Sequence, residues 1–405
     1  MSTYFDDASL VMIPSGYKDD KLYSIKPTSG DGDFTFSRDG SGASPATRVN
    51  SAGLIEKGRT NLLVQSNNFD TTWTRSSAQV PTDSQSGYDG TNDAWLLTAS
   101  GVNAHIKNAQ TNTGVMTLSC YMKKGTTDWA RLSFFGTNNP RAYFDLNNGV
   151  VGTTAFNIDA NITDVGSGWY RCSITANVAA TTSAAIFVAS GDDALSTTNE
   201  NIYIQDAQLE KGLVATSYIE TTTVAASAGI LGDMPRLDYS GGASCPSLLL
   251  EPARTNLFTH SEYLDGFTTA GSPAPTLTAN YAESPEGVDN AYRVEIPSAS
   301  GLALMAQLVA HTSGTKMTIS AYVKSNTGTD QSFQLFGDYG TASGKSGTLT
   351  ATSDWQRFTF TFTPTATGNR NAGIMNVTST AADLLVYGMQ IETANYPTSY
   401  VPTYR

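Results

Sequence analysis

Along much of this chain apolar and polar residues alternate one by one. In RFTFTFT (357–363), Phe358, Phe360 and Phe362 fall on one side and Thr359, Thr361 and Thr363 on the other. RCSITANV (171–178) gathers Cys172, Ile174, Ala176 and Val178, and MTLSCYM (116–122) gathers Met116, Leu118, Cys120 and Met122. LSFFG and FQLFG are shorter runs of the same kind. Successive side chains of a strand point to opposite faces, so this period predicts half-buried antiparallel strands with one face on a core and a Thr/Ser face in water. Turn clusters such as GTNNP, NNG, SGDD and NTGTD punctuate the runs. Helical periodicity is nowhere sustained beyond about ten residues. The pattern predicts an all-β chain built as sandwiches or barrels.

The pattern also repeats. EKGRTNLLVQS (56–66) returns as EPARTNLFTHS (251–261), and four more segments follow in the same order. GTNDAWLL (90–97) faces GVDNAYRV (287–294). MTLSCYMKKGTTD (116–128) faces MTISAYVKSNTGTD (317–330). GWYRCSITANV (168–178) faces DWQRFTFTFTP (354–364), and IYIQDAQLEKG (202–212) heads the last pair with LLVYGMQIETA (384–394). Colinear matches with variable spacers indicate tandem duplication. The expected architecture is therefore two tandem jelly-roll-like antiparallel β-sandwiches, at 46–222 and 223–405, preceded by an extended N-terminal arm, 1–45.

The repeat constrains the chemistry. Cys120 lies opposite Ala321 and Cys172 opposite Phe358, so both read as free thiols buried as small hydrophobes, and Cys245 sits in a Gly/Ser-rich loop. Arg59 with Asn61, and Arg254 with Asn256, occur once per copy without nucleophile, phosphate cradle or metal spacing around them. They are expected to be architectural: the Arg on a carboxylate or carbonyls at the sandwich edge, the Asn closing a turn through its side chain. Glu210 and Glu392 match between copies, as do Asp128 and Asp330, which favours structural duties over one active site.

Composition narrows the function. The net charge of −12 argues against a nucleic-acid binder and against docking on an anionic membrane. No apolar run reaches the roughly 20 residues of a spanning helix. The N-terminal MSTYFDDASLVMIPSGYKDD lacks a basic region followed by an apolar one, so the expectation is synthesis in a cytoplasm without a signal peptide. His105, His260 and His311 are scattered without ligand partners, and no catalytic or metal-binding set is assigned. SGDGD (29–33) and SGDD (190–193) supply hard oxygens for a structural calcium, with solvated turns as the plainer reading. No other cofactor is expected.

Three stretches resemble a family of tailed-bacteriophage structural proteins, described as head-fibre, head-spike or tail-fibre proteins with carbohydrate-binding-like jelly-roll domains. They are SLVMIPSGYKDDKLYSIKP, then DFTFSRDGSGASPATRVNSAGLIEKGRTNL, then PRLDYSGGASCPSLLLEPARTNL. The resemblance implies a non-enzymatic fibre or spike on the virion surface, commonly a homotrimer, held to other virion proteins through residues 1–45 and adhering to a host or environmental glycan. Two alternatives stay open: a purely structural adaptor touching only virion proteins, and a polysaccharide-degrading enzyme with paired carboxylates. Glycan binding calls for ring faces in or beside loops. The candidates are Trp129, Tyr339, Trp73, Trp95 and Tyr292. Trp129 is the freest, because its position in the second copy is not aromatic. Trp169 and Trp355 precede the same strand in both copies and read as rim of the core.

Overall fold

The computed structural model describes residues 4–18, 20–35, 46–78, 82–136, 138–230, 232, 234–239, 246–298, 302–338 and 344–404. The chain is all-β: among the described residues only Tyr4–Asp7 forms an α-helix and Leu264–Gly266 a 3-10 turn. It divides into two compact units, one made of Met1–Gly58 with Gly229–Tyr404, the other of Arg59–Ala228.

The Arg59–Ala228 unit holds the first jelly roll. Its sheet runs Val150–Ala155, Arg141–Asp145, Trp129–Gly136, Trp169–Gly191, His105–Lys124, Asn201–Lys211, Ala94–Thr98, Thr82–Gln85. Two strands are unusually long. His105–Lys124 pairs with Trp169–Gly191 from His105↔Phe187 to Lys123↔Trp169, interrupted only by register shifts near Asn112. The alternation read from the sequence places Met116, Leu118, Cys120, Met122, Cys172, Ile174, Ala176 and Val178 in one core with Phe69, Leu132, Phe134 and Ile186. Cys120 and Cys172 face each other across the two strands as free buried thiols, and burial raises both thiol pKa values.

The second jelly roll separates the same ladder into two five-stranded sheets. One runs Thr268–Ala270, Leu304–His311, Gly368–Asn376, Gln331–Phe336, Leu349–Ala351. The other runs Thr276–Ala282, Ala291–Ile296, Ala382–Glu392, Met317–Ser325, Gln356–Phe362. The local cause is legible. Pro364 cannot donate to a ladder, and its carbonyl instead accepts from Gly314, which turns with φ +78° between the two half-strands.

Both copies carry the same bulge in their last long strand. The register skips between Ser119 and Tyr121 opposite Gln205 to Gln208, and between Ser320 and Tyr322 opposite Tyr387 to Gln390. The extra residue is left-handed in each, Asp206 at φ +52° and Gly388 at φ +63°, as a bulge in an antiparallel pair permits.

One segment falls elsewhere than the repeat suggested. Residues 46–58, read as the start of the first copy, belong to the unit of the second. There Thr47–Val49 and Ile55–Lys57 form a hairpin closed by Arg48 on Glu56, 2.5 Å. The arm also lies in that unit and forms a small antiparallel sheet of Val11–Lys18, Lys21–Lys26 and Phe34–Thr35.

Candidate functional site

The repeated Arg-Thr-Asn-Leu shows first what is architecture. Asn61 Nδ2 donates to the carbonyls of Ala207 and Ile219, and its Oδ1 accepts from the amides of Leu63 and Leu209. Asn256 makes the same four bonds, to Met389 and Val401 and from Phe258 and Ile391. A buried amide side chain has four such capacities, and in both copies all four pin the last long strand and the returning C-terminal segment. Glu210 and Glu392 follow suit, each accepting from the backbone amide and hydroxyl of Thr216 or Thr398 and from the neighbouring Gln208 or Gln390. Arg254 bonds the carbonyl of Ala253. The preceding Arg236 pairs with Glu251 at 2.5 Å.

What differs between the copies is the sheet face turned away from the core. In the first jelly roll the register sets Arg131 beside Phe187 and Tyr143, Trp129 beside Asp145, His105 beside Phe187, and Ser133 beside Arg141. Lys107 and Phe135 continue the same face. The Arg131 guanidinium lies over the Phe187 ring, 3.5 Å from its centroid, and donates to Tyr143 Oη at 3.0 Å and more distantly to Asn103 Oδ1 at 3.4 Å. Its Nε is buried without a hydrogen-bond partner, and burial pulls the group below its ordinary pKa. His105 packs on Phe187 at 4.4 Å and Phe135 at 5.3 Å, with Nδ1 2.9 Å from the Asn103 carbonyl oxygen; burial lowers its pKa. Lys107 reaches over Phe135. Phe187, Tyr143 and His105 form a closed floor, while Trp129, Arg131, Phe135, Arg141 and Lys107 remain half-exposed.

Such a surface offers aromatic planes for stacking and cationic and amide donors for oxygen ligands, the equipment of a binding face. Among the described residues it holds neither a nucleophile–base pair nor facing carboxylates. Asp145 at its edge accepts from the amides of Asn147 and Asn148 and from Asn148 Nδ2, which hold its pKa down against burial.

Of the four ring candidates among the described residues, only Trp129 is on this face. Trp73 is 3% exposed, donates Nε1 to the Gln65 carbonyl and packs edge-on against Phe69. Tyr292 is fully buried and bonds Asp265. Neither can present a ring to a ligand, so both are corrected to core. Trp95 is half-buried, its Nε1 bound to the Asn67 carbonyl and its ring edge-on to Phe69, a rim position. Tyr339 lies outside the described residues, as does Cys245. Trp169 is core, and half-buried Trp355 bonds the Glu283 carbonyl. Sequence reasoning missed Arg131, Tyr143, Phe187 and His105. Their only signal was strand parity, which shows a face once the strand order is known.

The acidic turns are occupied by protein groups. Asp33 takes Lys21 and the amide and hydroxyl of Ser24, and Asp192 takes Thr153. No cluster of three or more metal-ligating residues occurs among the described residues.

A second buried cluster lies in the other unit. Lys57 Nζ is enclosed by Glu262 at 2.8 and 3.0 Å, Glu286 at 2.6 Å and Tyr404 Oη at 3.1 Å. Tyr387 and Tyr400 donate to the same Glu262. This closed network fixes the 46–58 hairpin to the second jelly roll and leaves no reactive group open.

No family model and no curated protein matches the chain. Among solved structures it is similar to the tandem CBM22-1–CBM22-2 domain of Paenibacillus barcinonensis Xyn10C, at 11% identity over 83% of this chain and 98% of that one, TM-score 0.29. It is also similar to the enzymatically active domain of bacteriophage CBA120 tailspike protein 4, at 14% identity over 34% of this chain and 21% of that one, TM-score 0.25. A third is a family 43 arabinoxylan arabinofuranohydrolase from Bacillus subtilis, at 13% identity over 95% and 79%, TM-score 0.23. These scores are too low for any of the three to lend this chain a function.

Proposed function

We propose that this protein is a non-enzymatic fibre or spike on the surface of a bacteriophage particle, attached through residues 1–45 and adhering to glycan through the outer face of its first jelly roll. The observation that carries the adhesive part is the Arg131 stack: a guanidinium on Phe187, flanked by Tyr143, His105 and half-exposed Trp129, with a donor left unpaired. The guanidinium, fixed by Phe187, Tyr143 and Asn103 beside a half-exposed indole, supports a binding role for the face, because a held cation and an open ring plane are what sugar oxygens and sugar C–H faces meet. Sites of millimolar strength suffice when many copies act on one particle. The virion part rests on the sequence resemblance, as does the trimer.

Two experiments test the reading. Glycan-array and titration binding of the full chain should show a carbohydrate ligand whose binding is lost in Trp129→Ala. Absence of any glycan binding by protein and particle defeats the adhesive reading in favour of an adaptor. Density maps of intact particles should show residues 1–45 held by other virion proteins, with light scattering of the free protein reporting a trimer.

A further inference from the structure

The charges on the outer face narrow the ligand. In a chain with 36 acidic and 24 basic residues, several cations are tied to carboxylates: Arg48, Arg75, Arg236, Arg293 and Arg370 are ion-paired, as are Lys21, Lys57 and Lys124. Arg171 and Arg357 are spent as matched latches onto the carbonyls of Thr216 and Thr398. Arg131, Arg141 and Lys107 are distinguished by their grouping. They share one face, and none has an ion-pair partner among the described residues. Arg131 and Arg141 are close enough to depress Arg131 further, and Lys107 and Arg131 do the same to His105.

The acids near this face do not neutralise it. Asp145 is committed to Asn147 and Asn148, Asp192 to Thr153, and both sit at the Trp129 end. Asp193 is exposed and acts on Arg131 in the opposite sense to Arg141, with no ion pair between them among the described residues. Like charges held together in a partly desolvated site cost free energy that an anionic ligand returns.

We infer that the first jelly roll selects acidic glycans, a uronic-acid polymer in chemical class, with sugar carboxylates at Arg131, Arg141 and Lys107 and a sugar ring against Trp129 or Phe135. This rests on the adhesive reading above and deepens it. The corresponding face of the second jelly roll is built on Leu304, Ala306, Phe336 and Met375, and the described residues place the exposed Lys345 there, bridged to Phe336, in place of the Arg131, Arg141 and Lys107 group.

The test uses the full chain and two probes with one backbone: oligogalacturonate, and the same oligosaccharide with its carboxyl groups reduced to alcohols. Binding is followed calorimetrically at low and high salt. The expected result is binding of the acidic probe at least about tenfold tighter than the reduced one, weakened by salt as charge contacts are screened. Arg131→Gln with Arg141→Gln should abolish that preference while the thermal transition stays in place. If the double variant unfolds, Lys107→Gln alone, which should lower acidic-probe affinity severalfold, serves in its stead. Equal binding of both probes, or preference for the reduced one, overturns the acidic specificity and leaves glycan adhesion standing. Binding of neither probe, with no hit on a neutral array, overturns both.

Discussion

The two jelly rolls share a scaffold down to single hydrogen bonds, yet their outer faces differ in kind. The Asn61 and Asn256 clamps, the Glu210 and Glu392 latches and the bulges at Asp206 and Gly388 superimpose in role. Over that common frame one face carries Arg131, Arg141, Lys107, His105 and four aromatic rings, and the other carries Leu304, Ala306, Gln334, Phe336 and Met375. Duplication therefore separates two demands. Positions that hold strands together keep their chemistry in both copies, and positions on the sheet face turned from the main core diverge.

The copies also differ in how each buries acid, and the largest expected effect breaks the comparison there. Lys57→Met strands Glu262 and Glu286 inside the second jelly roll. Removing one partner of a buried charge network costs roughly 3–5 kcal/mol, and chemical denaturation should show the loss in that unit while the first unit's transition stays unchanged. The shared clamps should respond alike: Asn61→Leu and Asn256→Leu each leave four backbone groups without their partner, at a cost of roughly 3 kcal/mol or more. A marked inequality between the two would show that the repeat is not equivalent in its mechanics.

Asp206 is buried near two other acids, Asp93 and Asp89. Burial, with Asp93 and Asp89 adding to it, raises its pKa to about 6, against the hydrogen bonds from Tyr88 and Tyr218. A raised folded-state pKa means the folded protein binds more protons than the unfolded chain between about pH 4 and pH 6. The stabilisation from this group is therefore full below that window and lost as pH rises through it, by at most about 3 kcal/mol. Asp206→Asn should flatten the dependence of the first unit's melting on pH over this range. The smallest effect is at the face itself. Arg131→Ala should change stability by less than about 1 kcal/mol, since the desolvated guanidinium returns little of its burial cost, while ligand binding falls. A large loss of stability would mark Arg131 as scaffold and remove the distinction between the faces.

Much of the scaffold was readable in the one-dimensional pattern. Period-two runs gave the strands, and the doubled Arg-Thr-Asn-Leu flagged the asparagines whose side chains hold each sandwich. The packing of 46–58 was not readable, because Lys57 sits in an ordinary LIEKG run and its partners are more than two hundred residues away. The face was hidden for a related reason. Arg131, Tyr143, Phe187 and His105 each obey strand parity, but only the order of strands makes them neighbours. Trp73 and Tyr292 misled in the opposite direction, since a ring beside a loop can still turn inward when its polar atom finds a carbonyl or carboxylate.

The long strands His105–Lys124 and Trp169–Gly191 have a consequence for how the molecule yields. In the first jelly roll one continuous ladder runs through both layers, so peeling either layer begins to unzip the other. Its amides should exchange with deuterium as a single cooperative set, and a tug on a tethered ligand would meet resistance from the whole domain at once. The second jelly roll, cut at Gly314 and Pro364, can give way one layer at a time, like a seam with a stop stitched into it.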